Sequence, residues 1–561
     1  MMPEPGRGEP TNGAGWTAVD DLTPPALRQT WRDRGFYDEF DLYGAFRATA
    51  TARPDHPAVV DADRTLTYRE LLAAVDRIAV LLDREGVLPG DVVAVQLPNS
   101  WVSCAVDFAI AAVGAICMPF PAHYREREVT QLLGRAAASA YIGPRSYHGS
   151  DHIAMVETLR AELPSLRTLV VADREQDAHP ALLAALREST PWAARRVDPS
   201  AGCRVFVTSG TESAPKMVLY SHEAVGRPFE VMQSEMGIDA TARMYPGVPL
   251  GSGMGVQVCA LLARHGATVV LTPAFKADAA LDVLERHRVT HFYGVPTMVQ
   301  MMLAQPSFAD RDLTALRVVV SAGSSLPAHL ARKLREDLGL GTISFYGCSD
   351  GVSINTGLDL PIDIAAVTVG RSDERVSTVK IVTSDGADVP RGEPGEIWGI
   401  GPFAPLRYLN SPELDARYRT ADGWVRTGDL GVMREDGNVA IVGRVKDIII
   451  RGGFNISPTE IDDLLAAHPD IAQASCIGVP DERLGEVVCA AVVLREGAEP
   501  PTVASLGEFL LAEGLSKYKL PERIVVRAEL PTSPVGKILK RVLRDEVAAK
   551  LATPAPSVPT L

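Results

Sequence analysis

Val205-Phe206-Val207-Thr208-Ser209-Gly210-Thr211-Glu212-Ser213-Ala214-Pro215-Lys216 sets a short apolar run against a loop of hydroxyls, one glycine and a cation. The apolar triplet predicts a strand. A tight loop leaving a strand aims backbone N–H groups and hydroxyls into one concavity, and a lysine adds a full positive charge, which is the chemistry that holds a polyphosphate. The spacing is not that of GxxxxGK[ST], because Gly210 stands six positions before Lys216 and Met217 follows it. Turn chemistry alone also fits an ordinary solvated turn. The rest of the chain has to decide between the two.

A chain of 561 residues with 46% hydrophobic and 22% charged residues can bury a large core divided among several domains. Its formal charge of −14 argues against nucleic acid or an anionic membrane as the main partner, while leaving room for a local cationic pocket. Cys104, Cys117, Cys203, Cys259, Cys348, Cys476 and Cys489 are odd in number and lack CxxC spacing, so neither a disulfide framework nor a zinc site is indicated. A cytoplasmic location is expected. Residues 1–40 lack the apolar core of a secretory signal and read as an N-terminal arm. The longest apolar stretch, residues 108–120, is too short to span a bilayer and predicts a buried helix running into a strand.

Between about residues 45 and 350, strand-like runs such as Val92-Val93-Ala94-Val95-Gln96-Leu97, Thr168-Leu169-Val170-Val171 and Leu316-Arg317-Val318-Val319-Val320 alternate with stretches of helical period. That alternation predicts an α/β fold with mainly parallel sheets, whose ligands sit beyond the carboxyl ends of strands. From about 365 to 445, short strands punctuated by Asp385-Gly386, Pro394-Gly395, Asp422-Gly423 and Asp436-Gly437 predict hairpins and a small β-barrel-like unit. The organisation expected is a large domain over 41–445, a small α+β domain over 446–548 and a Pro-rich tail over 549–561.

Four further segments follow the loop in order. They are Phe345-Tyr346-Gly347-Cys348-Ser349-Asp350, Val425-Arg426-Thr427-Gly428-Asp429-Leu430, Gly443-Arg444-Val445-Lys446-Asp447 with Arg451-Gly452-Gly453, and Leu530-Pro531-Thr532-Ser533-Pro534-Val535-Gly536-Lys537. With them the chain resembles the adenylate-forming superfamily of acyl-CoA synthetases, peptide-synthetase adenylation domains and luciferases, from about residue 40 to 548. The resemblance implies an acid activated by ATP as its adenylate, with pyrophosphate released, and a small C-terminal domain that rotates between two half-reactions.

It also implies roles for particular residues. Thr208, Ser209, Gly210, Thr211 and Lys216 would hold the β- and γ-phosphates, and Lys537 would bridge carboxylate and α-phosphate. Tyr346 would pack on adenine beside Gly347, Gly323 and Ser324, Ser349 would meet the α-phosphate, and Asp350 would help hold Mg2+. Asp429 would accept the ribose hydroxyls, Arg444 would contact ribose and phosphate, and Lys446 would sit at the hinge. Ser252, Cys348, Gly351 and Arg227 are candidates for the acid pocket, with His222 a further polar neighbour. Such chemistry needs cations and N–H donors rather than a strong base, because two anions must be brought together.

The chain departs from the pattern at Glu212 and Ser213 in the loop, at Asp350 where a longer glutamate is usual, and at Ser252 and its flanking glycines where relatives carry an aromatic or histidine. The His-Asn pair of hydroxybenzoate ligases near position 251 is absent, which makes that substrate class less expected. The overall texture resembles medium-chain or alicyclic acyl-CoA synthetases, with coenzyme A as acceptor. A carrier protein as acceptor, a diazotase-like enzyme joining activated nitrite to an aryl amine, and a nucleotide sensor without catalysis are the alternatives.

Overall fold

The computed structural model of the protein describes residues 21–39, 41–62, 64–172, 192–193, 195–208, 215–253, 255–324, 326–452, 454–481, 483–532 and 538–552. Two sheets carry the larger part of it. In the first, Thr168–Val171, Ala140–Gly143, Val92–Val95, Ile116–Pro119 and Gly202–Thr208 run parallel in that order. Lys216–Ser221 then folds back antiparallel on Gly202–Thr208, and Arg407–Tyr408 adds antiparallel at the edge. In the second, Gly341–Cys348, Val318–Ala322, His291–Gly294, Arg243–Pro246, Thr268–Val270 and Pro57–Val60 are parallel, with Val352–Asn355 and Thr65–Thr67 antiparallel at the two ends. This is the α/β architecture that the alternating pattern predicts, and Thr168–Val171 agrees residue for residue.

The helix Trp101–Ala112 shows why the two sheets form one body. Every one of its residues is buried. A helix apolar on all sides has to be covered on all sides. Together with Tyr68–Arg84 it shares one core with Val93, Val95, Phe206 and Val218 of the first sheet and with Val59, Met244, Val269 and Val320 of the second. After Gly114 the chain enters the strand Ile116–Pro119, so the apolar run at 108–120 is a buried helix running into a strand, as read.

One residue of that helix is charged. Asp107 meets Arg204 Nη1 at 2.6 Å, with the two side chains 9% and 2% exposed. The thiols of Cys117 and Cys259 donate to its two oxygens at 2.7 and 3.4 Å, and Arg204 Nη2 reaches the Leu250 carbonyl at 3.4 Å. Burial raises both thiols far above their ordinary pKa, with Asp107 adding to it, so they serve as neutral donors.

Thr378–Val382, Pro394–Ile400, Val425–Met433 and Val439–Arg444 form an antiparallel sheet with left-handed glycines at Gly386 and Gly437, where Asp-Gly pairs predict turns. The barrel-like expectation changes here. Among the described residues no ladder joins its outer strands, so the sheet is open; closure needs a strand tilt and stagger that turn residues do not encode. Beyond Asp447, Ile449–Arg451, Phe454–Ile456, Ile471–Asp481, Gly485–Leu494 and Arg523–Arg527 build a mixed sheet. Pro458–Leu465 and Val503–Ala512 cover one face through Ile461, Leu465, Leu506 and Leu510, and Lys540–Ala552 covers the other through Leu543 and Val547. This is the smaller α+β domain. No described helix is long and apolar enough to cross a membrane.

The Asp107–Arg204 pair gives a stability prediction. Arg204→Met leaves a buried carboxylate without its cation and is expected to cost about 3–5 kcal/mol, read as a lower unfolding midpoint by calorimetry or denaturant. Asp107→Leu combined with Arg204→Met is expected to recover most of that loss; a double variant no better than the single would contradict the account.

Candidate active site

The carboxyl ends of the two sheets meet around a cavity of about 480 Å3. Its first wall is set by strand register. Thr208 and Lys216 are direct cross-strand partners in the antiparallel pair, which puts hydroxyl and ammonium side by side where the connecting loop leaves the sheet, and both line the cavity. Residues 209–214, with Ser209, Gly210 and Thr211, lie outside the described residues, as does Lys537.

Lys216 reaches across to the second sheet. Its Nζ lies 3.2 Å from Asp350 Oδ2 and 3.4 Å from Oδ1, with both side chains about nine-tenths buried. It also sits 3.5 Å from the centre of the Tyr418 ring, where the ring's negative face favours a cation. Tyr408 donates its hydroxyl to Asp350 Oδ1 at 2.6 Å, and the Cys348 thiol donates to Oδ2 at 3.2 Å. Burial first, and Asp350 second, hold both the Tyr408 phenol and the Cys348 thiol far above their ordinary pKa values, so both remain protonated donors. Tyr220 fixes the neighbouring backbone by donating to the Ser349 carbonyl at 2.8 Å.

A second carboxylate stands across the cavity. Asp429 accepts the Tyr346 hydroxyl on Oδ2 at 2.8 Å and Arg444 Nε on Oδ1 at 2.7 Å, and Asp429 and Arg444 are cross-strand partners. Burial alone would lower the Arg444 pKa, but Asp429 together with Cys348, Tyr346 and Asp447 raises it above its ordinary value. Burial and then Asp429 push the Tyr346 phenol well up. The turn before Asp429 is clamped: the Gly428 N–H, with φ +70, donates to Glu396 Oε1 at 3.0 Å, and the Thr427 hydroxyl donates to the Ile397 carbonyl at 2.7 Å.

Most of the residues named from sequence converge here. Ser252, Gly323, Ser324, Gly347, Cys348, Ser349, Asp350, Arg444 and Lys446 line the cavity with Thr208 and Lys216. Tyr346 and Asp429 stand directly behind its wall, where Gly347, Thr427 and Gly428 form the surface; alternation along the strand turns the Tyr346 ring toward the core of the four-stranded sheet. Two acid-pocket candidates need correction. Gly351 is turned away, since a Cβ there would meet Pro405 Cδ at 2.4 Å. Arg227 is half-exposed on its own helix, 3.4 Å from Glu230, and lines a separate hollow. His222 is buried, with Nδ1 accepting the Leu42 N–H and its pKa pushed down to about 3 by burial, so it is a neutral structural ring.

Sequence reading missed Tyr408 and Tyr418, which hold Lys216 and Asp350, and missed the aromatic rings in the cavity wall. Phe206, Tyr220, Phe403 and Phe229 follow one another at centroid distances of 4.3, 5.1 and 5.2 Å, and Phe206, Phe229, Phe345 and Phe403 reach the cavity surface. The wall opposite is pressed close at Gly251, where a Cβ would lie 2.8 Å from the Phe120 backbone. For metal, the described residues hold no group of three or more His, Cys, Asp or Glu. Asp350 can supply one hard oxygen donor, which fits a Mg2+ that takes one or two carboxylates and fills its shell with phosphate and water.

The family model described as "AMP-binding enzyme" matches residues 46–409, and "AMP-binding enzyme C-terminal domain" matches residues 460–537. The chain belongs to the AMP-binding enzymes. These are adenylate-forming ligases, and the resemblance read from the five segments holds. This AMP-binding enzyme is 32% identical over 505 residues to the 2-hydroxy-7-methoxy-5-methyl-1-naphthoate–CoA ligase of Streptomyces carzinostaticus, covering 88% of this chain and 90% of the relative. It is 31% identical over 535 residues to the medium-chain fatty-acid–CoA ligase of Escherichia coli strain K12, covering 93% of each. Among solved structures, the amide bond synthetase McbA from Marinactinospora thermotolerans superposes with a TM-score of 0.79 at 28% identity, over 90% of this chain and 99% of that one.

Because Lys216, Asp350 and Tyr408 share one hydrogen-bonded cluster, their contributions to stability should not add. Lys216→Met and Asp350→Asn are each expected to destabilise the large domain, and the double variant to fall short of their sum by about 0.5–3 kcal/mol in denaturant unfolding. Strict additivity would mean that the pair is not coupled.

Proposed function

We propose that this AMP-forming ligase activates an aromatic carboxylic acid as its acyl-adenylate and transfers the acyl group to coenzyme A. The observation that carries the reading is one cavity whose wall combines Lys216 and Asp350, Arg444 with Asp429 behind it, and the rings of Phe206, Phe229, Phe345 and Phe403. Stacked rings suit a flat substrate, and the naphthoate–CoA ligase among the relatives agrees with it.

In the first half-reaction a carboxylate oxygen attacks the α-phosphorus of ATP, the bond from that phosphorus to the bridging oxygen breaks, and pyrophosphate leaves. No proton needs to move, so the residues act by position and charge. Lys216 and Thr208, with Ser209, Gly210 and Thr211, neutralise and hold the departing pyrophosphate. Ser349 steadies the α-phosphate, and Asp350 would hold Mg2+, which supplies charge screening of the triphosphate. Asp429 would accept the two ribose hydroxyls with its two oxygens, kept in place by Tyr346 and Arg444, and Gly347, Gly323 and Ser324 would border the base, while the Tyr346 ring, turned toward the sheet core, would act through Asp429 rather than by stacking on adenine. Lys537 bridges the two reacting anions. In the second half-reaction the thiol sulfur attacks the acyl carbon, its proton passes to solvent, and the carbon–oxygen bond to AMP breaks. Rotation of the C-terminal domain about Lys446 withdraws Lys537 and brings Arg451 and Gly452 toward the site.

Pyrophosphate release tests the reading. Aromatic acids are expected to support it better than alicyclic or aliphatic ones, and coenzyme A to accelerate AMP release with the preferred acid, with the thioester seen by mass spectrometry. Release with nitrite and an aryl amine, or acceleration only by a carrier protein or a simple amine, would replace the proposed acid or acceptor. Binding of ATP without pyrophosphate release from any acid would overturn catalysis.

The nucleotide end has its own test. Tyr346→Phe removes a donor to a buried carboxylate and is expected to weaken AMP binding by about tenfold in calorimetry, in keeping with a hydrogen bond to a charged group. Asp429→Ala is expected to weaken it by about a hundredfold. Unchanged AMP affinity in Asp429→Ala would rule out the ribose role.

A further inference from the structure

Residues 402–406 belong to no helix or strand, yet every one of them is buried. They carry Phe403 into the cavity wall, with its ring centre 5.1 Å from that of Tyr220 and 5.2 Å from that of Phe229. Pro402 and Pro405 flank this stretch and have no N–H of their own. Buried carbonyls outside regular structure have to find donors elsewhere. Here they find them in the N-terminal arm, in and around the helix Pro25–Asp33.

Arg28 of that helix is 2% exposed and donates from Nη2 to the carbonyls of Ala404 at 3.0 Å and Pro405 at 3.3 Å. Arg419 shares the Pro405 carbonyl at 2.9 Å. Arg28 Nη1 donates to the Tyr37 hydroxyl at 2.7 Å, and that hydroxyl donates to the Pro402 carbonyl at 2.7 Å. Asp21 steadies the guanidinium, its Oδ2 lying 2.8 Å from Nε, and the Leu22 N–H reaches the Leu406 carbonyl at 3.0 Å. The arm thus serves the carbonyls on both sides of Phe403, and Trp31, Tyr37 and Ala404 close the contact as one small apolar cluster. On its other side the Phe403 N–H is tied to the Val376 carbonyl at 3.0 Å. Beyond residue 406 the chain enters Arg407–Tyr408, which is held by pairing with Val218 and Leu219 rather than by the arm. The arm therefore bears on the ring at Phe403 more than on the Tyr408 that caps Asp350.

We propose that Arg28 is a positioning residue for the acid: by holding the Ala404 and Pro405 carbonyls it fixes the Phe403 ring against the ring of the substrate. The inference rests on the proposed binding of an aromatic acid in this cavity. Arg28 itself does not line the cavity, so its effect on the acid passes through Phe403. Ring contacts depend on offset and angle, and a displaced ring loses them.

The test is a double-mutant cycle on the full chain, read as Kd of the aromatic acid by calorimetry and as KM for acid and for ATP in pyrophosphate release. Phe403→Ala and Arg28→Met are each expected to weaken acid binding by about tenfold, the worth of one aromatic contact. KM for ATP is expected to stay within about twofold in Arg28→Met. In the Phe403→Ala background, Arg28→Met is expected to weaken the acid by less than about twofold further, because the ring through which it acts is gone. Tyr37→Phe removes only the bond to the Pro402 carbonyl; it is expected to weaken the acid by about threefold and carries the test if Arg28→Met does not fold. A lower unfolding midpoint with unchanged acid affinity in Arg28→Met and Tyr37→Phe overturns the proposal, as do equal losses for acid and ATP or full additivity with Phe403→Ala. Coupling in Kd without pyrophosphate release would uphold the positioning role and overturn the ligase reading. Pyrophosphate release with aromatic acids but no coupling between Arg28 and Phe403 would do the reverse.

Discussion

A lysine of one sheet and an aspartate at the end of the other hold each other across the cavity, and the arrangement of the site follows from that ion pair. Lys216 is delivered by an antiparallel strand added to an otherwise parallel sheet, and Asp350 by the turn after the strand Gly341–Cys348. Nothing local brings them together. The edge strand Arg407–Tyr408 contributes the phenol that caps Asp350, and the helix that follows it contributes the Tyr418 ring beneath the ammonium. Four separate pieces of chain thus converge on two charges, in surroundings where neither could be left unpaired without a cost of several kcal/mol.

Behind that surface, the apolar helix Trp101–Ala112 determines how far apart the sheets stand. Asp107 on this helix organises Arg204 and two thiols, and Arg204 extends the network to the carbonyl of Leu250, one residue before the glycine that presses on Phe120. The acid end of the cavity is therefore braced by buried polar contacts as well as by packing. Fully satisfied networks of this kind make a core specific because a shifted alternative would leave a charge unmet.

The elements that sequence makes legible are those dictated by short-range pattern. Period-2 and apolar runs located Thr168–Val171 and the helix-to-strand passage ending at Pro119, and Asp-Gly pairs located the hairpins at Gly386 and Gly437. Among the described residues, Thr208 and Lys216 of the loop, Gly347 to Asp350 and Arg444 to Lys446 of the ordered motifs border the cavity. Features that depend on long-range pairing were not legible. Tyr408 reaches Asp350 because its strand pairs with Val218 and Leu219, a partnership no local signal announces. Arg227 lay close in sequence to the phosphate-type loop and yet points elsewhere, because the helix Arg227–Glu235 turns that position to the surface.

The shared use of Asp350 has a consequence for the order of events. Its two oxygens are already occupied by an ammonium, a phenol and a thiol. An anion that draws Lys216 toward itself leaves the carboxylate with surplus negative charge, and a cation that engages the carboxylate leaves the lysine available. Each must ease the arrival of the other by the same factor, since linkage is reciprocal. If Asp350 holds a metal and Lys216 a polyphosphate, as proposed, the pair acts as a latch between two halves of one charged guest, favouring a metal and a polyphosphate that enter together over either alone.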